Sequence, residues 1–153
     1  MSIKTGEKGF TLIELLVVIG ILAVLLAITL IAINPARQFQ QANNTQRSSD
    51  VNAILNGVWQ YAVDNSGDLS GLAIPATPTN IGSGATDVNL CSDVSPTYIA
   101  QIPVDPQTGS WTDCTTYDSQ YTIAQTAAGR VTVSAPDTEP VDAVTANDIS
   151  VTR

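Results

Sequence analysis

Between Phe10 and Ile33 the chain runs for 24 residues with a single ionisable side chain, Glu14. As an α-helix such a run is about 36 Å long, enough to cross a hydrocarbon core of roughly 30 Å with some tilt. A secretory signal has a shorter apolar region with a small-residue cleavage site after it, and this run is too long for that. The segment before it carries Lys4 and Lys8, the only lysines of the chain. The positive-inside bias therefore keeps residues 1–9 in the cytoplasm and exports everything after the apolar run. The remainder of the chain is polar and rich in Thr, Ser and Asn. The mean hydropathy of +0.15 is thus an average over a membrane segment and a modest polar domain. A length of 153 residues suits one such domain.

The inventory of side chains narrows the chemistry. There is no histidine, so imidazole acid–base catalysis and the commonest zinc ligand are both absent. Past Lys8, four arginines face thirteen acidic residues. Such a surface repels nucleic-acid phosphates rather than neutralising them. Two cysteines, Cys91 and Cys114, cannot make a four-thiolate metal site. These residues argue against an enzyme, and no catalytic or metal-binding residue is assigned.

Glu14 is the feature a plain membrane anchor does not explain. A carboxylate in a spanning helix costs about 2.5–3.5 kcal/mol on insertion scales, so it calls for a partner or for a place near the headgroups. The surrounding residues, Gly9-Phe10-Thr11-Leu12-Ile13-Glu14-Leu15-Leu16-Val17-Val18-Ile19, resemble the N-terminal signature of type IV pilins and the related pseudopilins of type II secretion. The resemblance implies a prepilin peptidase that cuts after Gly9 and methylates the new N-terminal residue, Phe10. It also makes Glu14 the assembly carboxylate. Removal of residues 1–9 deletes both lysines and leaves an amine on Phe10 close to the membrane surface. The amine of one subunit can then neutralise the Glu14 carboxylate of another when helices stack, since either charge alone is costly in lipid.

The apolar run stops at Asn34-Pro35. Proline lacks a backbone donor and biases the preceding residue away from α, which predicts a kink at Pro35. Beyond it, Val51, Ile54, Leu55, Val58, Tyr61 and Ala62 step along one helix face. Asn65-Ser66-Gly67 supplies a stop. Residues 10–65 are thus expected as one long kinked helix, with 10–33 in the membrane or filament core and 34–65 as an outer amphipathic half. The polar stretch from Gln38 to Asp50 should keep its outer face wet.

From Ser66 to Thr97 there is no lysine, arginine or aromatic residue, and Gly, Pro, Ser and Thr fill half the positions. This reads as a long connecting loop. One short helical turn is expected between Pro96 and Pro103, and a chain reversal over Val104–Gly109. Two-residue alternation marks strands at Tyr121–Ala124 and Arg130–Ala135, with Ala127-Ala128-Gly129 as the hairpin turn between them. Weaker strand signals lie at Trp111–Tyr117 and Ile149–Val151. The fold class is α+β: a long kinked N-terminal helix packed on a small antiparallel sheet in residues 66–153, as in pilins. The stretch Ile102-Pro103, Asp105-Pro106 and Gly109 is also similar to the C-terminal half of major pseudopilins.

In an exported domain an even number of cysteines reads as a disulfide, here Cys91 with Cys114. The resemblance to pseudopilins raises calcium, with Asp105 and Asp113 as contributors, but no spacing compels it and no cofactor is assigned. Asp64, Ser66, Asp68 and Ser70 alternate like calcium-loop ligands, yet Leu69 and Pro75 stand where an EF-hand needs Gly and Glu. Asn43-Asn44-Thr45 matches a glycosylation acceptor but falls within the helix.

The resemblance implies a structural subunit, a homo-polymer or one mixed with other pilins. Its partners would be the prepilin peptidase and an inner-membrane assembly platform. The subunit would sit in the inner membrane as a single-pass protein with a cytoplasmic N-terminus, then in a surface pilus or a periplasmic pseudopilus. The alternative is a minor tip or binding subunit that recognises a surface, DNA or an exported substrate.

Overall fold

The computed structural model describes residues 9–141 and 149–153. They form an α+β protein that divides after Gln38 into two compact units.

The N-terminal unit is dominated by α1, Leu12–Ile33. None of its residues is buried by the rest of the chain, and it is long and apolar enough to cross a membrane. Its first turn is closed by Thr11, whose extended backbone and hydroxyl cap the free amide of Glu14. α1 ends where Asn34 adopts a left-handed conformation, φ 46° and ψ 79°, a state that asparagine tolerates better than most residues. Pro35 then opens α2, Pro35–Asp64, at the first helical position, where its missing N–H costs nothing. The kink expected at Pro35 in the long helix over residues 10–65 is thus a break between two helices, one residue earlier, at Asn34. Asn34 supplies the break, accepting from the amide of Arg37 through its own carbonyl at 3.1 Å.

The C-terminal unit packs α2 against a five-stranded antiparallel sheet. The strands are β1, Thr79–Gly82; β2, Ser110–Asp113; β3, Thr116–Gln125; β4, Val131–Ala135; and β5, Ile149–Thr152. Their order is β1-β3-β4-β5, with β2 also on β3. β3 is the organising strand: Asp118 is paired with Gly82 of β1 and with Ser110 of β2. Along β3 and β4 buried and half-buried residues alternate, so Tyr117, Tyr121, Ile123, Val131 and Val133 meet the Val51, Ile54, Leu55 and Val58 stripe in one core. The approach of α2 is close at Gly57, where an added Cβ would lie 2.9 Å from a Val94 methyl and 3.2 Å from one of Ile99. The β3–β4 hairpin turns at Gly129, φ +80°, as Ala127-Ala128-Gly129 predicts.

Three expectations change. The stretch from Ser66 to Thr97 is not unbroken loop: it holds a 3-10 turn at Ser70–Leu72, β1, and a short α3 at Cys91–Val94. β1 is a four-residue edge strand whose one fully buried large side chain is Ile81, too little for an alternation signal. The helical turn expected between Pro96 and Pro103 lies earlier, in α3. The strand signal at Trp111–Tyr117 is a hairpin, with Trp111 opposite Tyr117. Asp113 reverses the chain there by accepting from the amide and hydroxyl of Thr115 at 2.8 and 2.6 Å, an Asx turn.

Cys91 and Cys114 form a disulfide, their Cα atoms 5.3 Å apart and 23 residues apart in sequence. It ties α3 to the β2–β3 turn. In the chain-entropy model a loop of this size is worth about 3 kcal/mol. Reduction, or the Cys91→Ser/Cys114→Ser double variant, should lower the urea unfolding free energy by about that much. Non-reducing peptide mapping should recover the linked pair, and free-thiol labelling of both cysteines in the exported protein would contradict it.

Candidate functional site

The N-terminal end of α1 gathers the residues singled out for processing and assembly. Gly9 and Phe10 are exposed, Phe10 at 83%, so the peptide bond between them lies open, one residue before the helix cap. Glu14 occupies the third position of the helix and reaches back to the cap. Its Oε2 accepts from the Thr11 amide at 2.8 Å and from the Thr11 hydroxyl at 2.7 Å. With the return bond from the Glu14 amide to the Thr11 hydroxyl, 3.3 Å, this is a complete capping box. Thr11-x-x-Glu14 is itself a capping signature, a second role of Glu14 that the charge argument leaves out.

Both bonds fall on Oε2. Among the described residues, Oε1 has no partner. One face of the carboxylate is spent on helix geometry and, among the described residues, the other is open to a cation from outside the chain. The side chains around it, Phe10, Ile13, Leu15, Val17 and Val18, form an apolar surface with Glu14 at its rim. The arrangement has no nucleophile–base pair. It can do two things: present a peptide bond to a protease and offer a half-satisfied carboxylate in an apolar setting.

The other residues considered for ligand binding are committed to structure. Asp105 is almost fully buried and bonded bidentately by Arg47, Nε to Oδ2 at 2.6 Å and Nη2 to Oδ1 at 3.2 Å. It also accepts from the amides of Gln107 and Thr108 at 2.9 and 3.0 Å. Asp113 is exposed and engaged in its Asx turn. Among the described residues no group of three or more acidic or cysteine side chains could hold a metal ion. Asp68 bonds the amide and hydroxyl of Ser70 at 2.8 and 2.9 Å, and Asp64 Oδ2 accepts from the Tyr98 hydroxyl at 2.9 Å. Asn43 donates to Glu139 at 2.7 Å from a part-buried position.

Sequence reasoning misses the Arg47 cluster. Asn44 Oδ1 accepts from Nη1 at 3.1 Å, and Glu139 lies 3.5 Å from the same nitrogen. Stepping the apolar stripe backward by three and four residues from Val51 and Ile54 reaches Arg47, Asn44 and Asp50, so periodicity places them inward. Their polarity hides the fact.

Comparison with known proteins first defines a class of N-terminus. Residues 4–30 match the prokaryotic N-terminal methylation motif. The chain is also 36% identical over 82 residues to the type IV wide pilus major component PilA4 of Thermus thermophilus. That similarity covers 50% of this chain and 61% of the relative, so the chain spans less than two thirds of its length. No solved structure matches. The resemblance read from Gly9 to Ile19 thus falls inside the matched methylation motif.

Proposed function

We propose that the chain is a structural subunit of a type IV pilus or a type II secretion pseudopilus. In this reading it is processed by a prepilin peptidase between Gly9 and Phe10, methylated on Phe10, and polymerised from the inner membrane through an assembly platform. One observation carries it: α1 bears the methylation motif and buries none of its apolar residues within its own chain. Fully burying a Leu, Ile or Val side chain is worth about 1.5–3 kcal/mol relative to leaving it in water. α1 must therefore lie in lipid before assembly, and the α1 helices of other subunits can replace that lipid afterward. The small acidic C-terminal unit then forms the outer surface of a filament.

The mature protein should begin at Phe10 with a methylated amine, as read by intact mass and N-terminal peptide sequencing. Filaments sheared from cells, or a pseudopilus fraction, should contain this chain as a main subunit. A mature chain that keeps Lys4 and Lys8 would overturn the reading.

A further inference from the structure

The C-terminal unit carries a surface cleft of about 440 Å³, lined by Asn56, Trp59, Gln60, Val63, Asp64 and Tyr98. Five of these lie on the last turns of α2, where positions three and four apart share a face. The cleft is neither an apolar groove nor a charged patch. Val63 is 77% exposed in it, and two aromatic side chains, Trp59 and Tyr98, line it. Tyr98 is held in place: its hydroxyl donates to Asp64 Oδ2 at 2.9 Å, and its ring meets Tyr61 edge-on with centroids 6.1 Å apart. Asn56 Oδ1 accepts from Arg153 at 2.6 Å, which leaves its amide nitrogen as a donor. The Gln60 amide and Asp64 Oδ1 have no partner among the described residues.

We propose that this cleft binds a neutral hexose unit of a glycan. Sugar rings present a face of C–H groups that packs on aromatic carbon, edged by hydroxyls that both donate and accept. Asn56 offers a donor, Gln60 both a donor and an acceptor, and Asp64 an acceptor. Other ligand classes fit less well. An anion meets the Asp64 carboxylate. A wholly apolar ligand desolvates the Asn56 and Gln60 amides and Asp64 Oδ1 without giving them partners. A cation uses Asp64 and the rings but leaves the amide donors idle. The volume lies in the range of small-ligand sites. The proposal goes beyond the filament reading and does not depend on polymerisation.

The test uses the full chain in a zwitterionic, sugar-free detergent. It is titrated with cellobiose, maltose, lactose and N,N′-diacetylchitobiose, monitored by indole fluorescence and saturation-transfer NMR. At least one disaccharide should bind saturably, with little dependence on salt, because no net charge is paired. Gln60 is exposed, so Gln60→Ala should fold normally and weaken binding roughly 5–10-fold, the loss of one hydrogen bond. Trp59→Ala should weaken it at least about tenfold, while Trp111→Phe, at a residue that does not line the cleft, should leave it unchanged. The proposal is overturned if none of the four sugars binds, or if Gln60→Ala and Trp59→Ala bind like the parent. It is also overturned if the signal is displaced by tetramethylammonium and salt. The same holds if the cleft variants change only filament yield, which would make the cleft a contact between copies.

Discussion

Glu14→Gln should insert and be processed like the parent chain yet fail to assemble. The capping box separates two roles of this carboxylate that a single substitution by leucine would merge. Glutamine can accept from the Thr11 amide as glutamate does, so the first turn of α1 stays closed, and the helix enters lipid without a charge. Glu14→Leu keeps the Thr11 hydroxyl on the backbone amide of residue 14 but leaves the Thr11 amide without its acceptor, at about 0.5–1.5 kcal/mol for one hydrogen bond, and gains about 3 kcal/mol on insertion scales. If Glu14 serves only as a cap, Gln behaves as wild type and Leu assembles poorly. If its free Oε1 meets the Phe10 amine of a neighbouring subunit, both fail, because each incoming amine enters the apolar core without its counter-charge. That costs at least about 2.5 kcal/mol per contact, or more than tenfold in association. The readout is paired: membrane-fraction level and mature N-terminus on one side, yield of sheared or pseudopilus filaments on the other. Normal filament yield from a correctly processed Glu14→Gln chain would reject the charge pairing.

How far the sequence reaches depends on how local the determining physics is. α1 is legible because its composition alone decides it, and Thr11-x-x-Glu14 places its start. The inward stripe of α2 is legible from spacing, as is the β3–β4 hairpin from alternation and Gly129. β1 is not, because its residues form a strand only through the edge that β3 offers them, some 40 positions later in the chain. The β2–β3 hairpin reads as one strand because its turn is made by an aspartate side chain rather than by glycine. The disulfide is legible from compartment and count, with no need of geometry.

At the proposed site the same division holds. Gly9, Phe10 and Glu14 lie within six residues and are read together as a motif. The cleft beside Trp59 unites α2 with Tyr98, a residue from a stretch without helix or strand, and no pattern announces it. The Arg47–Asp105 pair spans 58 residues. An arginine in a polar helix and an aspartate in an Asp-Pro turn each look like surface residues until the fold brings them together.

That pair should govern the stability of the C-terminal unit. Arg47 and Asp105 are both buried, and removing one partner of a buried ion pair typically costs about 3–5 kcal/mol. Arg47→Met should therefore lower the midpoint of thermal unfolding by more than about 10 °C. Near-UV circular dichroism of the full chain in detergent reads it cleanly, because both tryptophans and all four tyrosines lie in the C-terminal unit. The pH dependence carries a sign. Burial pushes the Asp105 carboxyl up, but the hydrogen bond and charge of Arg47 and the amides of Gln107 and Thr108 outweigh it, holding its pKa below the usual range. Its stabilisation is thus full above the unfolded value of about 3.9 and is lost as pH falls through the lower folded value. Asp50 runs the other way: burial raises it, only partly offset by hydrogen bonds from Tyr121 and Gln46. Folding takes up its proton, so acidification from the raised folded value down to the unfolded value of about 3.9 adds stability before Asp105 removes it. In Arg47→Met, Asp105 loses its guanidinium and is left a buried carboxyl with a raised pKa. The variant should then gain stability between neutral pH and about 4.5 by more than the parent does, so the gap between them narrows in acid. The Arg47→Met/Asp105→Asn double variant should recover part of the loss at neutral pH, since no unpaired charge remains. A single variant that melts within about 2 °C of the parent, or a gap that widens on acidification, would show that the pair does not hold this unit together.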